Sequence, residues 1–221
     1  SKEPDFVIIE FSVNDESTEH FMETYEGLVR KVYTSKTKPA VLLVHNVFYN
    51  NGGNAQLMHG RIARHYDLPA VSMQSTIYPE VVSGHIENRD ITPDDLHPND
   101  AIQKGEYQME YQIKYENGIA NRGSLYRLKK VMDRAKAGEA LNIAFLGGSI
   151  TQGSLSSKPE LCYAYHVYEW WKKTFPQADF TYINAGIGGT TSQFGVARAE
   201  DDLLSKEPDF VIIEFSVNDE S

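Results

Sequence analysis

The chain has 221 residues, of which 41% are hydrophobic and 24% are charged, a balance typical of a globular protein with a sizeable core. Its formal net charge of −10 argues against nucleic acid and against an anionic membrane surface as partners, because both would repel it. Neutral substrates fit this charge better.

The start of the chain carries an exact repeat. Residues 1–17 consist of a predicted strand and the turn Ser-Val-Asn-Asp, and they recur letter for letter as residues 205–221. The two copies are far apart in the chain, which excludes a solenoid. We interpret the repeat as a rearranged chain that was opened in this region, with one copy kept on each flank. Alternatively, a natural tandem gene that was cut at matching points would produce the same repeated sequence at both ends.

The repeat has a structural consequence. We expect one domain over residues 1–221, and one sheet would offer one place for this strand. The second copy is therefore expected to be frayed, displaced or donated to a neighbouring molecule. Donation would make a homo-oligomer by strand exchange.

The remaining elements follow from periodicity and turn residues. The region 84–100 is predicted to be mostly loop, and 101–121 fits no single period. Helices are predicted at 18–33, 55–66, 77–83, 125–137, 160–175 and 192–204, and strands at 38–46, 68–72, 141–147 and 179–184. Strands that alternate with helices of about a dozen residues indicate βαβ units. We therefore predict an α/β fold, a three-layer sandwich with helices on both faces of a central parallel sheet.

Polar clusters follow several of these strands. Ser149 lies in Gly-Gly-Ser-Ile-Thr, Gly189 in Asn-Ala-Gly-Ile-Gly-Gly-Thr-Thr-Ser, and Asn14 and Asn218 in the two copies of Ser-Val-Asn-Asp. A further cluster, Asp-Asp-Leu-His-Pro-Asn, contains Asp94 and His97. Open α/β sheets bind their ligands at the carboxyl ends of the strands, so these clusters are expected to converge.

The residue types in these clusters are those that an ester hydrolase needs. Such an enzyme uses a hydroxyl nucleophile, an imidazole base, a carboxylate that holds the imidazole, and donors aimed at the developing oxyanion. Each cluster alone has a structural alternative. Ser149 could cap a helix, Asp94 could cap a turn, the asparagines could stabilise their own turns, and Gly189 could merely permit a positive φ. Their joint occurrence at strand ends favours the chemical interpretation.

These residues resemble the SGNH hydrolases, the GDSL-type esterases, whose sequence blocks carry Ser, Gly, Asn and His. The match covers most of the chain in rotated order, starting from Met109 and passing from the C-terminus back to the N-terminus. The sequence departs from the usual Gly-Asp-Ser block because Gly148 replaces the Asp. The resemblance implies a flavodoxin-like SGNH hydrolase fold and no cofactor.

The resemblance also implies roles for the residues. Ser149 would attack the acyl carbon, His97 would act as general base and then general acid, and Asp94 would orient His97. The oxyanion would lie among the N–H groups of Ser149 and Gly189 and the side-chain amide of Asn14 or Asn218.

Three stretches around the Ser149 strand, the next helix and the Gly189 loop look like the branch that contains carbohydrate acetylesterases. The expected substrate is therefore an acetylated xylan- or mannan-type carbohydrate. A general short-chain acyl esterase or lipase is an alternative, and so is a non-catalytic sugar-binding protein on the same fold.

Other classes of site are not favoured. The histidines show no paired ligand spacing, since His59 and His65 fall off a common helix face, so no metal site is expected. The lone cysteine, Cys162, is interpreted as a core residue, and its inability to form an internal disulfide favours a reducing, cytoplasmic compartment. No apolar run is long enough for a membrane span, and the first residues do not form a signal peptide.

Overall fold

The fold is organised around a seven-stranded sheet, seen in a computed structural model that describes residues 6–10, 19–35, 40–100, 113–190 and 192–214. The strand order is β4-β3-β2-β1-β7-β5-β6. All neighbouring strands pair in parallel except β3 and β4, which are antiparallel. The strands are β1 Phe6–Glu10, β2 Ala40–His45, β3 Ala70–Ser72, β4 Ile119–Asn121, β5 Leu141–Gly147, β6 Phe180–Gly186 and β7 Phe210–Glu214.

Six of the described helices correspond to predicted ones, whereas α4 (Asn88–Ile91) and α6 (Ser149–Gln152) were not predicted. They are α1 Glu19–Tyr33, α2 Gln56–His65, α3 Ile77–Val82, α4 Asn88–Ile91, α5 Tyr126–Lys136, α6 Ser149–Gln152, α7 Tyr163–Thr174 and α8 Ser192–Asp202. Helix α5 ends before Gly138, whose φ of +78° provides the left-handed residue that closes many helices. Helix α4 lies in a region that was predicted to be mostly loop.

Alternating side chains of the central strands bury opposite faces of the sheet. Ala144 and Leu146 of β5 join one core cluster with residues of α1, α2 and α8, whereas Ile143 and Phe145 join another with residues of α5 and α7. The predicted three-layer α/β sandwich is thereby confirmed. Trp171 is 1% exposed, and burial of a large side chain of this kind contributes about 2–3 kcal/mol. Cys162 is also buried, as predicted.

The repeated strand departs from expectation. Both copies lie in the sheet, as the neighbouring parallel strands β1 and β7, in register from Phe6 opposite Phe210 to Glu10 opposite Glu214. The expectation that one sheet has room for only one copy was therefore wrong. The physical reason is that a parallel strand hydrogen-bonds equally well to an identical neighbour, so the second copy widens the sheet between β2 and β5.

Within the described part of the chain, every helix is too short or too polar to cross a lipid bilayer.

Candidate active site

Ser149 is placed at the carboxyl end of a buried strand. Strand β5 ends at Gly147, and Ser149 is the first residue of the short helix α6. The turn is held by hydrogen bonds from Gln152 N–H to the Gly148 carbonyl and from Gly153 N–H to the Ser149 carbonyl. The serine hydroxyl therefore stands at the edge of the sheet where ligands bind in open α/β folds.

The structure brings His97 and Asp94 to this hydroxyl from a distant part of the chain. The Nε2 atom of His97 lies 3.1 Å from Ser149 Oγ, and its Nδ1 atom lies 2.5 Å from Asp94 Oδ2. The His97 side chain is 12% exposed and that of Asp94 is 43% exposed. An ionised carboxylate accepts the Nδ1 proton, which leaves Nε2 able to accept the hydroxyl proton of Ser149. The arrangement can therefore activate a serine nucleophile.

The carboxylate of Asp94 is fixed by several donors. Its Oδ1 atom accepts hydrogen bonds from His97 N–H at 2.8 Å, Leu96 N–H at 3.3 Å and Thr92 Oγ1 at 3.1 Å. Burial raises the pKa of Asp94, but the hydrogen bonds from the backbone and ring of His97 and from Leu96 together outweigh it. The pKa of Asp94 therefore lies below its ordinary value. These contacts favour the ionised carboxylate, which accepts the hydrogen bond from the His97 ring.

The loop after β6 packs against the turn that contains Ser149. The N–H of Gly188 donates to Gln152 Oε1 at 2.6 Å, and a Cβ at Gly188 would lie 3.8 Å from the Cβ of Ser149. A Cβ at Gly186 would come within 2.3 Å of the Gln152 nitrogen, so only glycine allows this approach. Gly189 has a φ of +75°, a left-handed conformation that glycine adopts without strain. The loop that contains Gly189 thus adjoins Ser149 through the contacts of Gly188 and Gly186.

Neither candidate for the asparagine of the predicted oxyanion hole, Asn14 or Asn218, is among the described residues. The strands that precede them, β1 and β7, both end at the carboxyl edge of the sheet. Of the two, only β7 is hydrogen-bonded directly to β5.

Two supporting residues were not singled out by the sequence. Thr92 is 2% exposed, and its hydroxyl both donates to Asp94 Oδ1 and accepts from Asp94 N–H. Arg198 of α8 is 7% exposed and donates to the carbonyls of Gly147 and Ala185, which lie in the last two residues of β5 and β6. Thr92 stands two residues before Asp94, and this spacing is the signal that could have identified it. No local pattern identifies Arg198, since the two strand carbonyls that it bonds belong to other elements.

Among the described residues, no group of three or more His, Cys, Asp or Glu side chains is arranged to hold a metal ion.

Part of the chain is similar to a known protein family. Residues 145–221 match the GDSL-like lipase/acylhydrolase family. The matched stretch includes Ser149, Gly189 and Asn218, whereas Asp94 and His97 precede it. None of the curated proteins compared matches the chain.

Solved structures also resemble parts of the chain. A two-domain esterase (CEX) active on acetylated mannans, crystallised with mannopentaose, is 97% identical over 50% of this chain and 30% of its own length, with a TM-score of 0.48. A second structure of a two-domain esterase (CEX) active on acetylated mannans gives the same values. Axe2, an acetylxylan esterase from Geobacillus stearothermophilus, is 26% identical over 38% of this chain and 42% of its own, with a TM-score of 0.30.

This chain therefore spans less than half the length of each of these structures. Residues 145–221, which carry Ser149 and the loop packed against its turn, are thus the part of the chain that is similar to the GDSL-like lipase/acylhydrolase family.

Proposed function

We propose that this protein is a serine carboxylic ester hydrolase that removes acetyl groups from acetylated oligosaccharides or polysaccharides. The observation that carries the proposal is the continuous contact from Ser149 Oγ through the His97 ring to Asp94. A non-catalytic sugar-binding protein would not require this alignment, so the contact favours catalysis over binding alone.

The proposed reaction uses each of these groups in turn. Ser149 Oγ attacks the acyl carbon while His97 Nε2 takes its proton, and the carboxylate of Asp94 stabilises the resulting imidazolium. His97 then protonates the departing sugar oxygen. A water molecule attacks the acyl-enzyme, with His97 again acting as base, and acetate leaves.

The oxyanion formed in each half of the reaction needs fixed donors. The N–H of Ser149 is at the start of α6, where helical N–H groups have no partner within the helix. The N–H of Gly189 and the side-chain amide of Asn14 or Asn218 complete the proposed set of donors. One such donor is typically worth about 3 kcal/mol of barrier.

The acetylated carbohydrate substrate is supported by the sequence resemblance and by the net charge of −10, which favours a neutral substrate. The acyl preference is tested by comparing release of acetate from acetylated xylan and mannan oligosaccharides with turnover of long-chain acyl esters. Faster turnover of the long-chain esters would contradict the acetyl preference while leaving the serine mechanism intact.

The mechanism is tested with a chromogenic acetate ester and the variant Ser149→Ala. We expect its kcat to fall at least about 10³-fold, because the nucleophile is lost. The matched control is Ser154→Ala, an exposed serine close by in sequence that contributes its backbone N–H to the Ser149 carbonyl and keeps that contact as alanine. Undiminished turnover by Ser149→Ala would refute the proposed mechanism.

A further inference from the structure

A cavity lies away from the proposed catalytic residues. It has a volume of about 450 Å³ and lies between helix α2 and strands β2, β3 and β4. Neither Ser149, His97 nor Asp94 lines it. Its volume falls within the range of about 300–1,000 Å³ that is usual for small-molecule sites.

A buried histidine marks this cavity. His45, the last residue of β2, lines it and is 0% exposed, yet neither ring nitrogen has a hydrogen-bond partner among the described residues. Buried polar groups normally find partners, because leaving them without one costs free energy. The ring of His59 lies against that of His45, with their centroids 6.1 Å apart. Packing therefore holds the His45 ring in place, while both of its nitrogens lack a hydrogen-bond partner among the described residues.

The side-chain amides that line the cavity are also held in place. Gln56 Oε1 accepts a hydrogen bond from Ser72 Oγ, so its amide nitrogen keeps two donors for another partner. Gln74 donates to the Gly52 carbonyl and Asn121 to the Leu68 carbonyl, so each keeps its amide oxygen as an acceptor. These side chains are thus oriented by bonds to the protein before any ligand arrives, which lowers the entropy cost of binding.

The charge of the lining narrows the ligand class. Burial, together with the nearby His59, lowers the pKa of His45 to about 3, so its ring is neutral and offers one donor and one acceptor. Arg64 is the only formally charged side chain among the described lining residues, and it is exposed. Ala63, Ala70 and Leu57 supply apolar surface. Neutral groups that both donate and accept, next to apolar surface, match a ligand rich in hydroxyl groups.

We propose that this cavity is a binding site for a neutral carbohydrate unit, a mono- or disaccharide, with Gln56, Gln74 and Asn121 contacting its hydroxyl groups next to the buried His45 ring. The proposal does not depend on ester hydrolysis at Ser149. His45 and Ser149 both lie at the carboxyl ends of parallel strands, β2 and β5, which are separated by β1 and β7. Three strand spacings place the two sites about 14 Å apart along one edge of the sheet.

The test uses unacetylated probes and the full chain. Isothermal titration calorimetry is carried out with glucose, mannose, xylose and their β-1,4-linked dimers, at concentrations up to about 10 mM, a limit that detects weak affinities. We expect at least one of these sugars to bind. We also expect the ring nitrogen signals of His45 to shift on binding in ¹⁵N NMR spectra.

A matched pair of variants locates the site. Ala120 and Ile119 are neighbouring exposed residues of β4, and only Ala120 lines the cavity. Ala120→Trp is expected to fill the opening and weaken binding at least tenfold, whereas Ile119→Trp is expected to bind as the unmodified chain does. Gln56→Leu, which removes the amide donors, should also weaken binding tenfold or more.

Other results would overturn the proposal. These are failure of every sugar to bind, equal binding by Ala120→Trp and Ile119→Trp, or a cavity that binds inorganic phosphate through Arg64 but no sugar. Because the sugars carry no ester and the readout is heat, loss of catalysis in Ser149→Ala leaves this test unaffected. A failure here is therefore distinguishable from a failure of the proposed esterase activity.

Discussion

Asp94 uses both of its carboxylate oxygens on the His97 turn. One oxygen accepts the ring Nδ1 proton, and the other accepts hydrogen bonds from Thr92, Leu96 and the His97 backbone. The same carboxylate thus sets the shape of the loop and the orientation of the imidazole. Its replacement should affect catalysis and stability in separable ways.

The catalytic effect is measured with Asp94→Asn. An amide can present its N–H₂ group to Nδ1 and so favour the wrong tautomer of His97, for which we expect kcat on a chromogenic acetate ester to fall about 10²- to 10⁴-fold. KM should change little, since Asp94 does not contact the substrate in the proposed reaction. A fall confined to KM would contradict the orienting role.

The stability effect depends on pH. Because the pKa of Asp94 is lowered in the folded protein, its ionised form adds stability that is present above the ordinary carboxyl pKa and is lost as the pH falls through the lowered value. Urea unfolding should therefore show Asp94→Asn less stable than the unmodified chain at neutral pH, with the difference shrinking below about pH 4. A difference that grows on acidification would show the opposite sign of shift.

Because the segment is duplicated, two asparagines, Asn14 and Asn218, are candidates for the same role. Both copies end at the same edge of the sheet, but β7 is the direct neighbour of β5, while β1 is one strand further away. One strand spacing is about 4.8 Å, which is more than a hydrogen bond can span. We therefore expect the copy that follows β7, rather than the one that follows β1, to supply the asparagine of the oxyanion hole.

We predict that Asn218→Ala lowers kcat about 10²- to 10³-fold and that Asn14→Ala changes it little. The measurement is turnover of a chromogenic acetate ester by each single variant and by the double variant. The reverse order of effects would assign the role to the first copy. Full activity in both single variants would mean that either copy can serve, and full activity in the double variant would remove asparagine from the mechanism.

The helices could be predicted from local sequence patterns, whereas one strand could not. The predicted helix at 18–33 is observed at Glu19–Tyr33 and the one at 125–137 at Tyr126–Lys136, because apolar periodicity and flanking turn residues are local properties. Strand β4 was not predicted. Its three residues are at least partly exposed, and its extended form depends on pairing with β3 rather than on its own composition.

Some residues of the candidate site could be predicted from local sequence, and others could not. Ser149, His97 and Asp94 were identified because each stands in a short block with a distinctive set of neighbours, and the structure brings the three side chains together. Arg198 and His45 carry no such block. Their environments arise only when distant strands and helices meet, which sequence pattern does not report.

On the scale of the whole molecule, two buried histidines link folding to pH. Burial lowers the pKa of His59 to about 3, and burial with the neighbouring His59 lowers that of His45 to about 3, against an ordinary value of 6.5. Between these values the unfolded chain binds protons at both sites and the folded chain does not. Stability must therefore rise with pH across this window and fall on acidification.

We predict that the free energy of unfolding decreases between about pH 6.5 and pH 3 by on the order of 1 kcal/mol per pH unit for each of the two rings. Urea unfolding at successive pH values measures the slope. In His59→Gln the slope should be smaller by the share of one ring. The matched control is His65→Gln, an exposed histidine of the same helix. An unchanged slope in His59→Gln would show that this ring does not titrate with folding.

The parallel pairing of β1 and β7 also determines how the molecule would respond to mechanical load. Phe6 begins β1 at one end of the ladder, and Glu214 ends β7 at the other. Tension applied between these two points pulls the neighbouring strands past each other along their length. The hydrogen bonds that join the five paired positions would then bear the load together in shear, instead of opening one after another as in a peeled hairpin.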